Sequence, residues 1–312
     1  MRWTHIFKVS LSLLFPVALV ACSSGGDGTG GSAGAGAGGG TGGSTSSSST
    51  GGSTTSGTGG TPVECEGPGY EGNEADVNIG KVSASVIDQN GDPAAQTAAQ
   101  VCGTDICIAE TTGDNGSVTV LVNQTLKKPA FKYGDGIVYS KLAILLEAGD
   151  FEFTNLVTSK LPPIGQGDAF ASGASVSSSG VTIDIPAGGI AEVDSLIYPE
   201  PVDQVFRAAE IPVSPDMPGV DPSLGIEAIF GVAPLETVFC PPAKVHFPNT
   251  AGLPAGADVE ILIQGLDALQ HWAPYGEWLK VSDGKVSADG SEIVTVDGQG
   301  LPVLSTFGVR LK

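Results

Sequence analysis

The sequence predicts an all-β protein: two β-sandwich modules carried behind a disordered linker rich in Gly, Ser and Thr. Three observations carry this reading. Beyond residue 62, short β-branched runs recur between Gly, Pro, Asn and Asp, and none keeps a helical period of 3.6 residues. Residues 23–61 are almost wholly Gly, Ser, Thr and Ala, with Asp27 the single charge. Such a segment has too little apolar surface to offset its ordering entropy. The first 21 residues have the layout of a secretory signal, which places the rest of the chain outside the reducing cytoplasm.

In chain order, residues 1–21 form the signal. Arg2 and Lys8 precede an apolar run from Val9 to Val20. That run is shorter than the roughly 20 residues a membrane-spanning helix needs. It ends in Leu19-Val20-Ala21-Cys22, which resembles the lipobox of bacterial lipoproteins. The resemblance implies cleavage before Cys22, acylation of its thiol and its new amino group, and a membrane anchor of several acyl chains. Ser23 in the next position implies sorting to the outer membrane of a Gram-negative envelope. Residues 22–62 then comprise the lipidated cysteine and a tether with an average reach of about 35 Å. Gly34, Gly36 and Gly39 match a dinucleotide-binding pattern here, but no strand precedes them and no helix pattern follows, so the match carries no function.

Residues 63–164 read as the first module. Lys81–Ile87 alternates in polarity and Asn90-Gly91 turns it; Thr111–Asn115 turns again before the alternating Ser117–Val122; Ile137–Leu146 and Glu152–Val157 complete the set. Val86-Ile87-Asp88-Gln89-Asn90-Gly91-Asp92-Pro93, Ala99-Gln100-Val101 and Thr112-Gly113-Asp114-Asn115-Gly116-Ser117-Val118 together resemble the carboxypeptidase-regulatory-like, transthyretin-like β-sandwich over residues 77–160. That resemblance implies a small accessory domain without catalytic residues. After a Gly/Ser/Ala connection at 165–180, residues 165–312 read as a second sandwich. Val181–Gly188, Lys244–Pro248 and the strand at Trp278 resemble the β-sandwich shared by ankyrins and netrin receptors, which implies an interaction or structural module.

Four cysteines follow Cys22. Cys102 and Cys107 face each other across a tight hairpin at Val101–Ile108, at a separation that a disulfide spans. Pairing them leaves Cys65 with Cys240, a long loop whose closure is worth up to about 4–5 kcal/mol in the chain-entropy model. The competing zinc reading lacks paired Cys-x-x-Cys knuckles.

Without Arg2 and Lys8 of the signal and Asp27 of the linker, the 14 basic and 34 acidic residues become 12 and 33, a net charge of −21 for the ectodomain. Nucleic acid and anionic lipid surfaces are poor partners for such a chain. No Gly-x-Ser-x-Gly, His-Glu-x-x-His or Walker pattern occurs, and beyond the signal only His246 and His271 remain as histidines, so no catalytic residue is assigned. His246 alternates with Val245 and Phe247 and reads as a solvated strand residue. Asp88, Asn90 and Asp92 open like a calcium loop, but Pro93 stands where glycine is needed, so a hairpin turn is the first reading. Calcium gathered from several Asp-Gly turns is the one cofactor to consider. His271, Trp272, Tyr275 and Trp278 are the densest aromatic cluster, and read as sandwich packing or as the surface that meets a protein or glycan.

Three functions follow. The first is an envelope-anchored lipoprotein that displays a non-catalytic ectodomain for structural or adhesive contact. The second is a carbohydrate-binding surface lipoprotein using Trp272, Tyr275 and Trp278. The third is an envelope hydrolase assembled from scattered carboxylates.

Overall fold

The computed structural model describes residues 65–70, 74–214 and 217–312. The expected signal, Cys22 and the linker lie outside the described residues. Those described are all-β, with a single 3-10 turn at Pro222–Leu224 capped by Asp221, and no helix among them is long and apolar enough to cross a membrane.

The first half contributes β1 (Asp76–Ile87), β2 (Ala98–Cys102), β3 (Cys107–Thr111), β4 (Ser117–Lys127), β5 (Ala130–Tyr133), β6 (Leu142–Leu145) and β7 (Gly149–Val157). A three-stranded sheet runs β4-β1-β7 and a four-stranded sheet runs β3-β2-β5-β6. Val82, Val86 and Val120 of the first share a core with Val101, Phe131 and Tyr133 of the second. The alternation in Ser117–Val122 is reproduced, exposed and buried residues alternating along β4. Asp88 builds the Asn90-Gly91 turn by accepting the N–H groups of Asn90 and Asp92 on Oδ1 (2.8 and 3.1 Å), and Gly91 takes φ +85°. One expected strand is shorter than read. Within Ile137–Leu146 only Leu142–Leu145 is extended, because Asp135 Oδ1 accepts the N–H groups of Ile137, Val138 and Tyr139 (2.8, 2.7 and 2.9 Å) and holds that stretch in a turn.

The second half contributes β8 (Ser175–Ser178), β9 (Val181–Asp184), β10 (Ile190–Glu192), β11 (Arg207–Ile211), β12 (Ala228–Ala233), β13 (Thr237–Pro248), β14 (Asp258–Gln264), β15 (Trp278–Val286), β16 (Glu292–Thr295), β17 (Leu301–Leu304) and β18 (Phe307–Leu311). Strand β8 lies inside the Gly/Ser/Ala connection expected at 165–180. One sheet runs β11-β12-β18-β14-β15-β16-β13-β9-β8, with β10 and β17 added on the first part of β13. Its two ends meet, the Ala208 N–H donating to Ser178 Oγ at 3.0 Å, so the sheet curls towards a barrel. Phe230, Phe247 and Phe307 fill its interior with ring centroids 5.2–5.3 Å apart.

The two halves meet on β12 and β14. In β12, Ala228, Phe230 and Val232 face the barrel interior, whereas Ile229 joins the core of the first half, as do Ile211 and Ile226. The buried Gln264 side chain acts as a short piece of strand against β6: its Oε1 accepts the Ala143 N–H (3.1 Å) and its Nε2 donates to the Ala143 carbonyl (2.8 Å). Both disulfides form as paired in the sequence reading, Cys102–Cys107 with Cα atoms 4.0 Å apart and Cys65–Cys240 with Cα atoms 5.2 Å apart across 175 residues.

Candidate functional site

The loop between β14 and β15 carries the aromatic cluster, and the structure divides it. Tyr275 is buried, and its hydroxyl donates to the Cys102 carbonyl at 3.0 Å. It therefore joins the two halves of the fold, and burial pushes its hydroxyl pKa up. Trp278 lies on β15, donates from Nε1 to the Gly219 carbonyl (3.0 Å), and lines a cleft of about 700 Å³ with Met217, Leu224, Ile144 and Leu145. His271 and Trp272 line a different pocket of about 300 Å³. The four residues do not form one surface; His271 and Trp272 alone share a pocket.

Two segments that are distant in sequence build that pocket around Trp272. The strap 65–70 forms one wall: the Cys65–Cys240 disulfide fixes one end, and the Gly69 N–H donates to the His271 carbonyl at 3.2 Å. Gly67 is required there, because a Cβ would stand 2.3 Å from the His271 carbonyl oxygen. The turn before β13 supplies Glu236, whose backbone has φ +62°, in the left-handed region that favours glycine. Asp267 Oδ1 accepts the Leu269 N–H (2.8 Å) and shapes the loop so that Gln270 turns back over Glu236.

Gln270 Nε2 donates to both carboxylate oxygens of Glu236, at 3.0 and 2.9 Å. Its own Oε1 is buried and has no hydrogen-bond partner. The Glu236 residue keeps some exposed surface, but its carboxyl end is crowded by protein, and this burial raises its pKa to about 7. The hydrogen bond from Gln270 opposes the rise, Asp267 adds to it, and Lys141 and Lys132 oppose it more weakly. Lys132 is buried as well, donates from Nζ to the Leu266 carbonyl (3.1 Å) and lies 5.2 Å from the Tyr275 ring centre. Burial brings its pKa down to about 8, Lys141 adds to that, and Asp267 and Glu236 oppose it. The pocket is thus lined by Trp272 and by four acidic residues (Glu66, Asp194, Glu236 and Asp267), with the unpartnered Gln270 Oε1 buried beside it. This arrangement accepts hydrogen bonds beside a flat apolar ring.

The remaining candidates lie elsewhere. Asp88, Asn90 and Asp92 sit in the hairpin turn, where Asp88 Oδ1 is occupied by backbone donors. Among the described residues no three His, Cys, Asp or Glu side chains gather to hold a metal ion. His246, half-buried on β13, has Nε2 2.9 Å from Asp184 Oδ2 and Nδ1 3.9 Å from Glu292 Oε2. The first approach lacks hydrogen-bond alignment.

No protein-family model matches the chain, and no curated protein matches it. Among solved structures, it is similar to a candidate carbohydrate binding protein from Bacteroides uniformis, covering 76% of this chain and 100% of that one, at 7% identity and a TM-score of 0.21. A likeness at that level carries no argument about fold or ligand.

Proposed function

We propose that the chain is an exported lipoprotein anchored through Cys22 in the outer membrane, and that its ectodomain is a non-catalytic module binding a neutral saccharide in the pocket at Trp272. The observation that carries the ligand class is the gathering of Trp272, Gln270 and the acids Glu66, Asp194, Glu236 and Asp267 around one pocket of about 300 Å³. A pyranose ring offers an apolar face for the indole and hydroxyl donors for Gln270, Glu236 and Asp267. The four carboxylates disfavour acidic sugars there. The lipobox resemblance at Leu19–Cys22 supports the anchor, and the likeness of residues 77–160 to carboxypeptidase-regulatory-like domains supports a role without chemistry.

The test uses the full chain purified from cells grown with labelled palmitate. The label stays on the wild type and disappears in Cys22→Ser; an unlabelled wild-type protein removes the anchor from the proposal. On a glycan array the wild type retains a neutral saccharide, Trp272→Ala loses at least about ten-fold in affinity, and Trp278→Ala binds as the wild type does. Equal binding by Trp272→Ala, or no glycan retained at all, overturns the ligand assignment.

A further inference from the structure

A second polar feature lies away from this pocket. Arg207 on β11 pairs opposite Ala233 of β12. Its neighbours Phe206 and Ala208 turn into the barrel interior, so strand alternation sends Arg207 to the opposite face, where it is 0% exposed. Nη1 donates to the carbonyls of Ile137 (2.5 Å) and Pro162 (3.2 Å). Nε and Nη2 are buried and have no partner. Among the described residues no carboxylate lies within the 4.0 Å of an ion pair with it. The acidic groups that act on it are the phenol of Tyr198 and the carboxyl groups of Asp203 and Asp135, and Asp135 is held in place by three backbone N–H groups.

A buried guanidinium with one edge unpaired is costly, because the lost hydration of a charged donor is not replaced. Native structures meet that cost with an acceptor. The unpaired edge is the Nε/Nη2 side, two parallel donors spaced for the two oxygens of one carboxylate. Arg207 and the two residues that hold its Nη1, Ile137 and Pro162, all line a cleft of about 700 Å³. That shared lining sets Arg207 directly beneath the cleft, covered by protein, so a ligand reaches the guanidinium by parting the side chains that cover it. Exposed Lys160 lines the same cleft, a second cation in a chain with a net charge of −20. Glu210 on the same wall offers a hydrogen-bond acceptor to a hydroxyl.

We propose that this cleft binds a hydroxylated carboxylate, its carboxyl group held side-on by Nε and Nη2 of Arg207 and attracted by Lys160. The site is separate from the Trp272 pocket and takes ligands of opposite character. The test is isothermal titration of the full chain in detergent with D-glucuronate, with D-glucose as the uncharged control and inorganic phosphate as the non-planar one. Saturable binding of glucuronate is expected, weaker binding of phosphate, and none of glucose that survives Trp272→Ala. Arg207→Lys, which keeps the charge and loses the paired donors, is expected to weaken glucuronate at least about ten-fold. Lys160→Ala, on an exposed side chain, is expected to weaken it about three-fold and to reduce its salt dependence. Trp272→Ala is expected to leave it unchanged, which separates this site from the saccharide pocket. No saturable heat from the wild type with glucuronate overturns the proposal, as does a folded Arg207→Lys protein that binds normally. Should Arg207→Lys fail to fold, wild-type affinity in Lys160→Ala overturns it.

Discussion

Glu236 combines two costs in one residue, a left-handed backbone and a buried carboxyl group. Burial raises its pKa from the ordinary 4.5 to about 7, so the folded protein holds this proton more tightly than the unfolded chain does. The contribution of this group is therefore fully present below pH 4.5 and is lost as pH rises to about 7, a change on the order of 3 kcal/mol. Glu236→Gln should remove that part of the pH dependence while keeping the side-chain shape. Urea unfolding at pH 5 and pH 7.5 measures it, and the same drop in both proteins would refute the assignment. Trp272 was readable in the sequence because aromatic residues are scarce in this chain. Glu236 and Gln270 were not, since an acid before a strand is unremarked in a chain with 34 acidic residues. The turn before β13 brings Glu236 to the loop of Trp272, and the turn at Asp267 lays Gln270 over it.

Among the elements, β4 and β12 show why legibility varies. Strand β4 has one solvent face and one core face, so its residues alternate and the strand is plain in the sequence. All six residues of β12 are buried because both faces are covered, and a continuous apolar run gives no period to read. The stretch 137–141 differs from its reading for another reason: its apolar residues suit a strand, but Asp135 captures three consecutive N–H groups that a ladder would need. Gly231 marks the place where β12 presses on the first half. A Cβ there would stand 2.0 Å from Ser140 Cβ, closer than any packing tolerates. Gly231→Ala should therefore cost about 1–3 kcal/mol in chemical denaturation with an unchanged slope. A neutral substitution would mean that the halves are less tightly seated than these distances imply.

At the scale of the molecule, the described residues from Cys65 onwards belong to one compact unit. The composition change at 165 marks where one set of strands gives way to the next, yet Ile211, Ile226 and Ile229 pack with Val82 and Phe131 across it. Differential scanning calorimetry should then show a single transition for both halves, with calorimetric and van't Hoff enthalpies equal. Two resolved transitions would show that the halves unfold independently. The turns, the Cys102–Cys107 pair and the β class were legible because each depends on residues near in sequence, and the Cys65–Cys240 pair followed as the two cysteines left over. The meeting of the halves was not, because it rests on residues such as Gln264 and Ala143, 121 positions apart. The disulfide from Cys65 enters β13 at Cys240, a strand hydrogen-bonded to β9, β10, β16 and β17. A pull on the chain ahead of Cys65 is consequently borne by that sulfur link and shared among four neighbouring strands. The force bypasses β1, so shear from flowing medium would not peel the first strand from its sheet.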